Sequence, residues 1–126
     1  MTMTMTTNRF GQPVGHPVPD WQPPILPGDL MLQGRYCRLE PLSAEQHGNT
    51  LWAAWRQPDP AIPGDIHGEA RWTYLGGRPF ADAAGCHTWL RQCGAGHDPR
   101  FMAVIEAASD SALGVAAWLN IQPAHG

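Results

Sequence analysis

The sequence predicts an α+β fold in which two helices pack on a small, mainly antiparallel sheet. Three observations predict it. Residues 34–42 alternate apolar and polar side chains with a period of two, as a strand with one wet face does. Two stretches, one behind Ser43 and one beginning near Ala81 or Asp82, repeat apolar groups at helical spacing. Phe101–Ala107 and Leu113–Gln122 are apolar runs joined by the short polar segment Ala108–Ala112, the form of a hairpin.

Residues 1–29 are expected to be a Pro-rich extension and residues 30–126 an α+β domain. Pro13, Pro17, Pro19, Pro23, Pro24 and Pro27 exclude regular helix from the extension. Phe10 and Trp21 lie within it, and linkers rarely carry such groups, so Trp21 is expected to anchor it. From Gly34 to Leu42, Cys37 and Leu39 alternate with Arg38 and Glu40. Ser43 followed three residues later by Gln46 has the form of a capping box, and Glu45 favours the positive first turn. His47, Leu51, Trp52 and Trp55 then share a helical face, which ends near Trp55 before Pro58, Pro60, Pro63 and Gly64 enforce a loop. Trp72-Thr-Tyr-Leu75 is a short aromatic segment ahead of Gly76-Gly-Arg-Pro79. Ala83, Cys86, Leu90 and Cys93 line one face of the second helix, with Gly94 and Gly96 as its stop. Phe101–Ala107 is apolar on both faces and is placed in the sheet interior. Leu113–Gln122 is read as its buried antiparallel partner, running into a Pro-x-x-Gly turn.

Composition excludes some partners. The net charge of −3 gives no electrostatic reason to expect nucleic acid or an anionic membrane. No run is long and apolar enough to span a bilayer, and the first nine residues lack the apolar stretch of a signal peptide. Three cysteines, Cys37, Cys86 and Cys93, without the paired spacing of secreted mini-domains, fit reduced thiols. A soluble cytoplasmic protein is expected. The eight basic residues are all arginine, which codon bias in a GC-rich genome explains.

Several segments, in this order and spacing, carry a resemblance. They are Asn8-Arg-Phe-Gly-Gln-Pro-Val14 with Trp21-Gln-Pro-Pro24, Leu32–Leu42, Trp72-Thr-Tyr-Leu75 with Arg78-Pro-Phe80, and Ile121–Gly126. Together they resemble the start of the GNAT N-acetyltransferase superfamily, in its ribosomal-protein-alanine acetyltransferase branch, over nearly the whole chain. The resemblance implies acetyl transfer from acetyl-CoA to an amine, of a protein N-terminus or a small molecule, by direct attack and without a metal. It implies backbone donors for the developing oxyanion, a base for the amine proton, and a Gly-rich loop opening a helix to hold the pyrophosphate. It also places that loop, the cofactor strand and the general acid beyond Gly126, so the chain is expected to be the N-terminal part of a GNAT-like fold that lacks the C-terminal cofactor-binding half. Acetyl-CoA is then a co-substrate of the full fold that this chain alone does not bind tightly. Catalytic residues are not assigned. Trp72 and Tyr74, in the region that shapes the family's acceptor pocket, are the expected substrate contacts, although aromatics with one polar tip serve equally in a core.

Other motifs have plainer explanations. Arg91-Gln-Cys-Gly-Ala-Gly96 satisfies the family's pyrophosphate pattern, but a helix precedes it and a strand follows, the reverse of what phosphate binding needs. Cys86, His87, Cys93 and His97 lack the paired spacing of a zinc site, and both cysteines fall on the apolar stripe, so no metal is assigned. His125 is read as a turn residue. Asp59, Asp65 and Glu69 are either a solvated loop or an acidic rim attracting a cationic amine. Trp52, Trp55, Trp89 and Trp118 are assigned to the core.

The sequence therefore points to an acyltransferase. The alternative is a non-catalytic acyltransferase-like module that binds a partner or complements a separate second half, and a degenerate reading frame is the third possibility. If Leu113–Gln122 has a bare edge, strand-edge self-association is expected.

Overall fold

A computed structural model of the chain describes residues 5–125. It divides into two compact units, Leu26–Ile121 and a smaller one of Met1–Ile25 with Gln122–Gly126.

In the smaller unit β1 (Thr6–Thr7) pairs antiparallel with β2 (Pro13–Val14). The turn between them is built by the Asn8 side chain, whose Oδ1 accepts from the N–H groups of Phe10 (3.0 Å) and Gln12 (3.1 Å). Trp21 is half exposed.

In the larger unit β3 (Leu32–Gln33), β4 (Cys37–Pro41), β5 (Arg100–Glu106) and β6 (Ser111–Trp118) form one sheet in the order β3-β4-β5-β6, antiparallel throughout. Helices α1 (Ala44–Trp55) and α2 (Ala83–Ala95) pack on each other, α1 also on β6 and α2 on β5. β5 lies between β4 and β6, as its two-sided apolar pattern predicts. Ala103 and Ile105, two residues apart on β5, join Leu51 of α1, Cys86 and Leu90 of α2, and Ala112 of β6 in the core.

The helices begin where the capping residues place them. The Ser43 hydroxyl accepts from the Gln46 N–H (3.3 Å), and Asp82 Oδ1 accepts from the Gly85 N–H (2.7 Å). The return bond of the capping box goes elsewhere: the Ser43 N–H donates to Nδ1 of His47 (3.0 Å). With Nδ1 accepting, the His47 proton sits on Nε2 and is directed at Glu40 Oε1, 2.7 Å away. His47 is only 4% exposed, so the dyad ties the start of α1 to β4 inside the fold.

The His47 hydrogen bond, helped by the Arg38 guanidinium, holds the Glu40 carboxyl below its ordinary value of 4.5. A depressed folded-state pKa gives stability that is present above the unfolded value and lost as pH falls through the folded one. Urea midpoints are therefore expected to drop below pH 4.5, and Glu40→Gln, which removes the titrating group, is expected to make that acid limb shallower. An unchanged limb would show that the dyad is not linked to folding.

Three expectations are corrected. The strand expected at Gly34–Leu42 is the shorter β4, Cys37–Pro41, and short strands precede it; the Gly34 N–H donates to Cys37 O (2.9 Å) in the turn that folds β3 back on β4. The last strand begins at Ser111, inside the expected turn, and stops at Trp118 rather than Gln122. It stops because the Asp98 carboxylate takes the N–H groups of Asn120 (3.0 Å) and Ile121 (2.9 Å), with Asn120 in the left-handed region at φ 55°. Nor is this strand buried: Leu113 and Trp118 are roughly half exposed, and on its outer side no strand pairs with it among the described residues. Among the described residues no helix is long and apolar enough to cross a membrane.

Candidate functional site

The long connection from α1 to α2 is fixed by its own polar groups. Asp65 accepts from the N–H groups of Asp59 (2.7 Å) and Ala70 (3.3 Å), and Asp59 accepts from the Ala61 N–H (2.9 Å). These bonds, led by the one from Asp59, lower the Asp65 pKa. Gly68 adopts φ 70°, and a Cβ there would stand 2.5 Å from Trp55 O, so only glycine lets the loop pass the end of α1. Arg71 clamps the passage, its Nε bonded to Gly68 O (3.0 Å) and its Nη2 to Gln57 O (2.7 Å). The expected aromatic segment, Trp72–Leu75, begins at the last residue of a 3-10 turn, Glu69–Trp72.

That turn aims Trp72 at a run of aromatic rings. Trp72 meets Phe80 edge-on at 5.3 Å; Phe80 lies 6.3 Å from Trp55 and 5.7 Å from Trp89; Trp89 reaches Phe101 of β5 at 5.7 Å. The rings link the loop, both helices and the sheet. Each such pair is worth about 0.5–1.5 kcal/mol beyond its buried area, enough together to make the wall rigid.

The wall bounds a cleft of about 790 Å³. Gly114 and Val115 of β6 line it from the sheet, and Leu75, Gly76 and Gly77 line it from the loop. Its polar side chains are Arg71 and Arg78. This size and lining, mostly apolar with a few polar groups, suit a small-molecule or peptide-terminus site. A smaller pocket of about 220 Å³ shares Trp55, Trp72 and Phe80 with the cleft and adds Glu69, His67 and Arg56, whose guanidinium stands 5.1 Å over the Trp52 ring.

Of the two expected contact residues, Trp72 lines both cavities, whereas Tyr74 is 97% exposed and lines neither. Trp55 and Trp89 belong to the cleft wall as well as packing on the core, and Trp118 is at the surface. Sequence reasoning missed Arg71 and Arg78; the signal available was two arginines flanking an aromatic run. Of the acidic trio, Asp59 and Asp65 hold the loop, Glu69 lines the smaller pocket, and Asp65 and Glu69 together line a separate hollow of about 300 Å³. Burial raises the Cys86 and Cys93 thiols, and among the described residues no three His, Cys, Asp or Glu side chains gather as metal ligands. His125 is exposed, in the 3-10 turn Pro123–His125.

No family model and no curated protein matches the chain. Solved structures do. A GCN5-related N-acetyltransferase from Brucella melitensis aligns with a TM-score of 0.70 and 36% identity, over 84% of this chain and 44% of that one. The structural neighbours are GNAT-family N-acetyltransferases. A probable acetyltransferase of the GNAT family from Chromobacterium violaceum ATCC 12472 gives a TM-score of 0.67 and 25% identity, over 88% of this chain and 51% of that one. The chain thus spans about half the length of the solved structures it matches. Its two helices and antiparallel sheet agree with a GNAT-like fold.

Acetyl-CoA, the co-substrate of GNAT enzymes, needs donors for its pyrophosphate. Arg91–Gly96 does not supply them: the stretch runs through the last turns of α2 to its C-cap. Gly94 is inside the helix, where a Cβ would come within 2.7 Å of Leu42 O, and Gly96 closes the helix with extended backbone. The turn from β4 into α1 has Ser43 and Glu45 and no glycine. Neither of these two stretches fits the pyrophosphate.

Proposed function

We propose that the chain forms the acceptor side of a GNAT-type N-acetyltransferase, which moves an acetyl group from acetyl-CoA to an amine of a protein or small molecule. The observation supporting this most strongly is the 36% identity with the GCN5-related N-acetyltransferase, sustained over 84% of the chain. The cofactor-binding half of such an enzyme lies outside these residues, and no step is assigned to groups that would hold the thioester.

The chain's own residues supply three things. Trp72, Phe80 and Trp89 position the acceptor's apolar body in the cleft. Their rings exclude water, and an apolar surrounding favours the neutral amine, the form that attacks. Tyr74, on the exposed side of the same loop, serves acceptors that extend past the cleft, such as the protein N-termini of the ribosomal-protein-alanine branch.

An acetylation assay by mass spectrometry over small amines and N-terminal peptides tests this. The chain alone is expected to transfer nothing and to bind acetyl-CoA more weakly than low-micromolar. Mixed with the part of the Brucella melitensis neighbour that it does not cover, it is expected to acetylate an amine. Low-micromolar binding by the chain alone, abolished by Gly94→Val without unfolding, would overturn the assignment of the donor side to other residues.

The second reading, a non-catalytic module that complements another chain, has its own observation in the outer edge of β6, which no strand pairs with among the described residues. An edge of unpaired N–H and C=O groups recruits a strand, from a partner or from a second copy. Light scattering is then expected to show mass rising with concentration and transfer absent in every mixture.

A further inference from the structure

The cleft presents two guanidinium groups and no carboxylate among its lining residues. Arg71 is held rigidly, because the carbonyls of Gly68 and Gln57 take its Nε and Nη2; Nη1 makes no hydrogen bond among the described residues. Arg78, on the glycine-flanked rim, makes no ion pair among the described residues. The acid that faces Arg71 is Asp65, and its carboxylate is already occupied by the N–H groups of Asp59 and Ala70. Asp65 offsets part of the Arg71 charge, and both guanidinium groups lie at the exposed rim of the aromatic wall, so the lining carries a net positive charge with Arg78 outside any ion pair among the described residues. A simple alkylammonium meets repulsion from both. A carboxylate meets the open fork of Arg78 and the remaining Nη1 donor of Arg71.

We propose that the amine acceptor carries a free carboxylate beside an apolar body, as an amino acid does, with Arg71 and Arg78 receiving the carboxylate and the aromatic wall receiving the body. This rests on the acceptor-cleft reading and narrows it to amino-acid-like small molecules. Arg78 is the specificity-determining residue that can be changed safely, since Arg71 also holds the loop.

Isothermal titration of the full chain tests it, with phenylalanine, 3-phenylpropionate, phenylalaninamide and desulfo-coenzyme A as probes. Phenylalanine and 3-phenylpropionate are expected to bind roughly tenfold or more tighter than phenylalaninamide, as a charge-assisted pair in an apolar cleft provides. Arg78→Gln is expected to erase that gap with the circular dichroism unchanged, and Arg71→Lys, which keeps the charge but loses the fork, to narrow it. Equal binding of the acid and the amide, no binding of either carboxylate, or a gap that survives Arg78→Gln overturns the proposal. So does displacement of phenylalanine by desulfo-coenzyme A, which assigns the arginines to the donor's phosphates. None of the titrations needs acetyl transfer. Carboxylate preference without transfer keeps the carboxylate site at Arg71 and Arg78 and overturns its use for an acetyl acceptor; transfer without the preference keeps the enzyme reading and overturns the carboxylate site.

Discussion

Truncating Leu90 to alanine is expected to cost about 2–5 kcal/mol of unfolding free energy, the range for a buried leucine that leaves a cavity. Leu90 is 0% exposed and packs in the cluster that joins α2 to Ala103 and Ile105 of β5. Neighbours on two sheet strands and two helices cannot all collapse into the space it leaves, so the upper half of that range is expected. A domain of this size has roughly 5–15 kcal/mol in total, and the loss is a large fraction of it. Urea denaturation at unchanged slope measures it, with Leu119→Ala as control, since Leu119 is 62% exposed. A cost near that of the control would mean that the helices do not pack on the sheet as described.

Gly94→Val is expected to be nearly as damaging, at about 2–3 kcal/mol or more, because it overpacks a fixed contact. The atom a Cβ would meet is a backbone oxygen, Leu42 O, 2.7 Å away. Leu42 has little freedom to move, since its own N–H bonds to Phe101 O (3.3 Å) at the start of β5. Either α2 lifts from the sheet or the junction of β4 with α1 shifts. Gly76→Ala is the neutral comparison, with nothing within 4 Å of the added carbon. A Gly94→Val chain as stable as the parent would contradict the packing role and reopen a phosphate role for Arg91–Gly96.

What could be read from the sequence was what local chemistry decides. Both helix starts were legible because a cap needs one side chain and an N–H three residues on, as at Ser43 and Asp82. The hairpin and the interior place of β5 were legible from two apolar runs and a short polar link. Contacts made across the chain were not. The Ser43 N–H takes His47 rather than Gln46 because Glu40, on β4, fixes the imidazole from its other side. The end of β6 is set by Asp98, more than twenty residues earlier in the chain, and no residue near Trp118 announces it. β6 looked buried because its apolar residues do not say what covers each face of the strand, and Leu113 and Trp118 stay roughly half exposed.

The site divides in the same way. Of the two expected substrate contacts, Trp72 lines both cavities, and Tyr74, two positions on, turns to solvent. Trp55 and Trp89 read as core because a helical face is apolar whether it meets a sheet or a cleft. Arg71 and Arg78 had no periodicity to mark them. Their significance depends on the absence of acids from the finished lining, which is a property of the fold.

The most direct measurement of the central claim uses the six tryptophans as reporters. Indole N–H signals of the full chain, assigned by single Trp→Phe variants, are followed by NMR while a panel of primary amines with apolar bodies is added. If the cleft is the acceptor site, the signals of Trp55, Trp72 and Trp89 move together and saturate, while those of Trp21 and Trp118, which line neither cavity, stay where they are. Saturating shifts at Trp21 or Trp118 with the cleft signals unmoved, or no saturating shift with any amine, would contradict it.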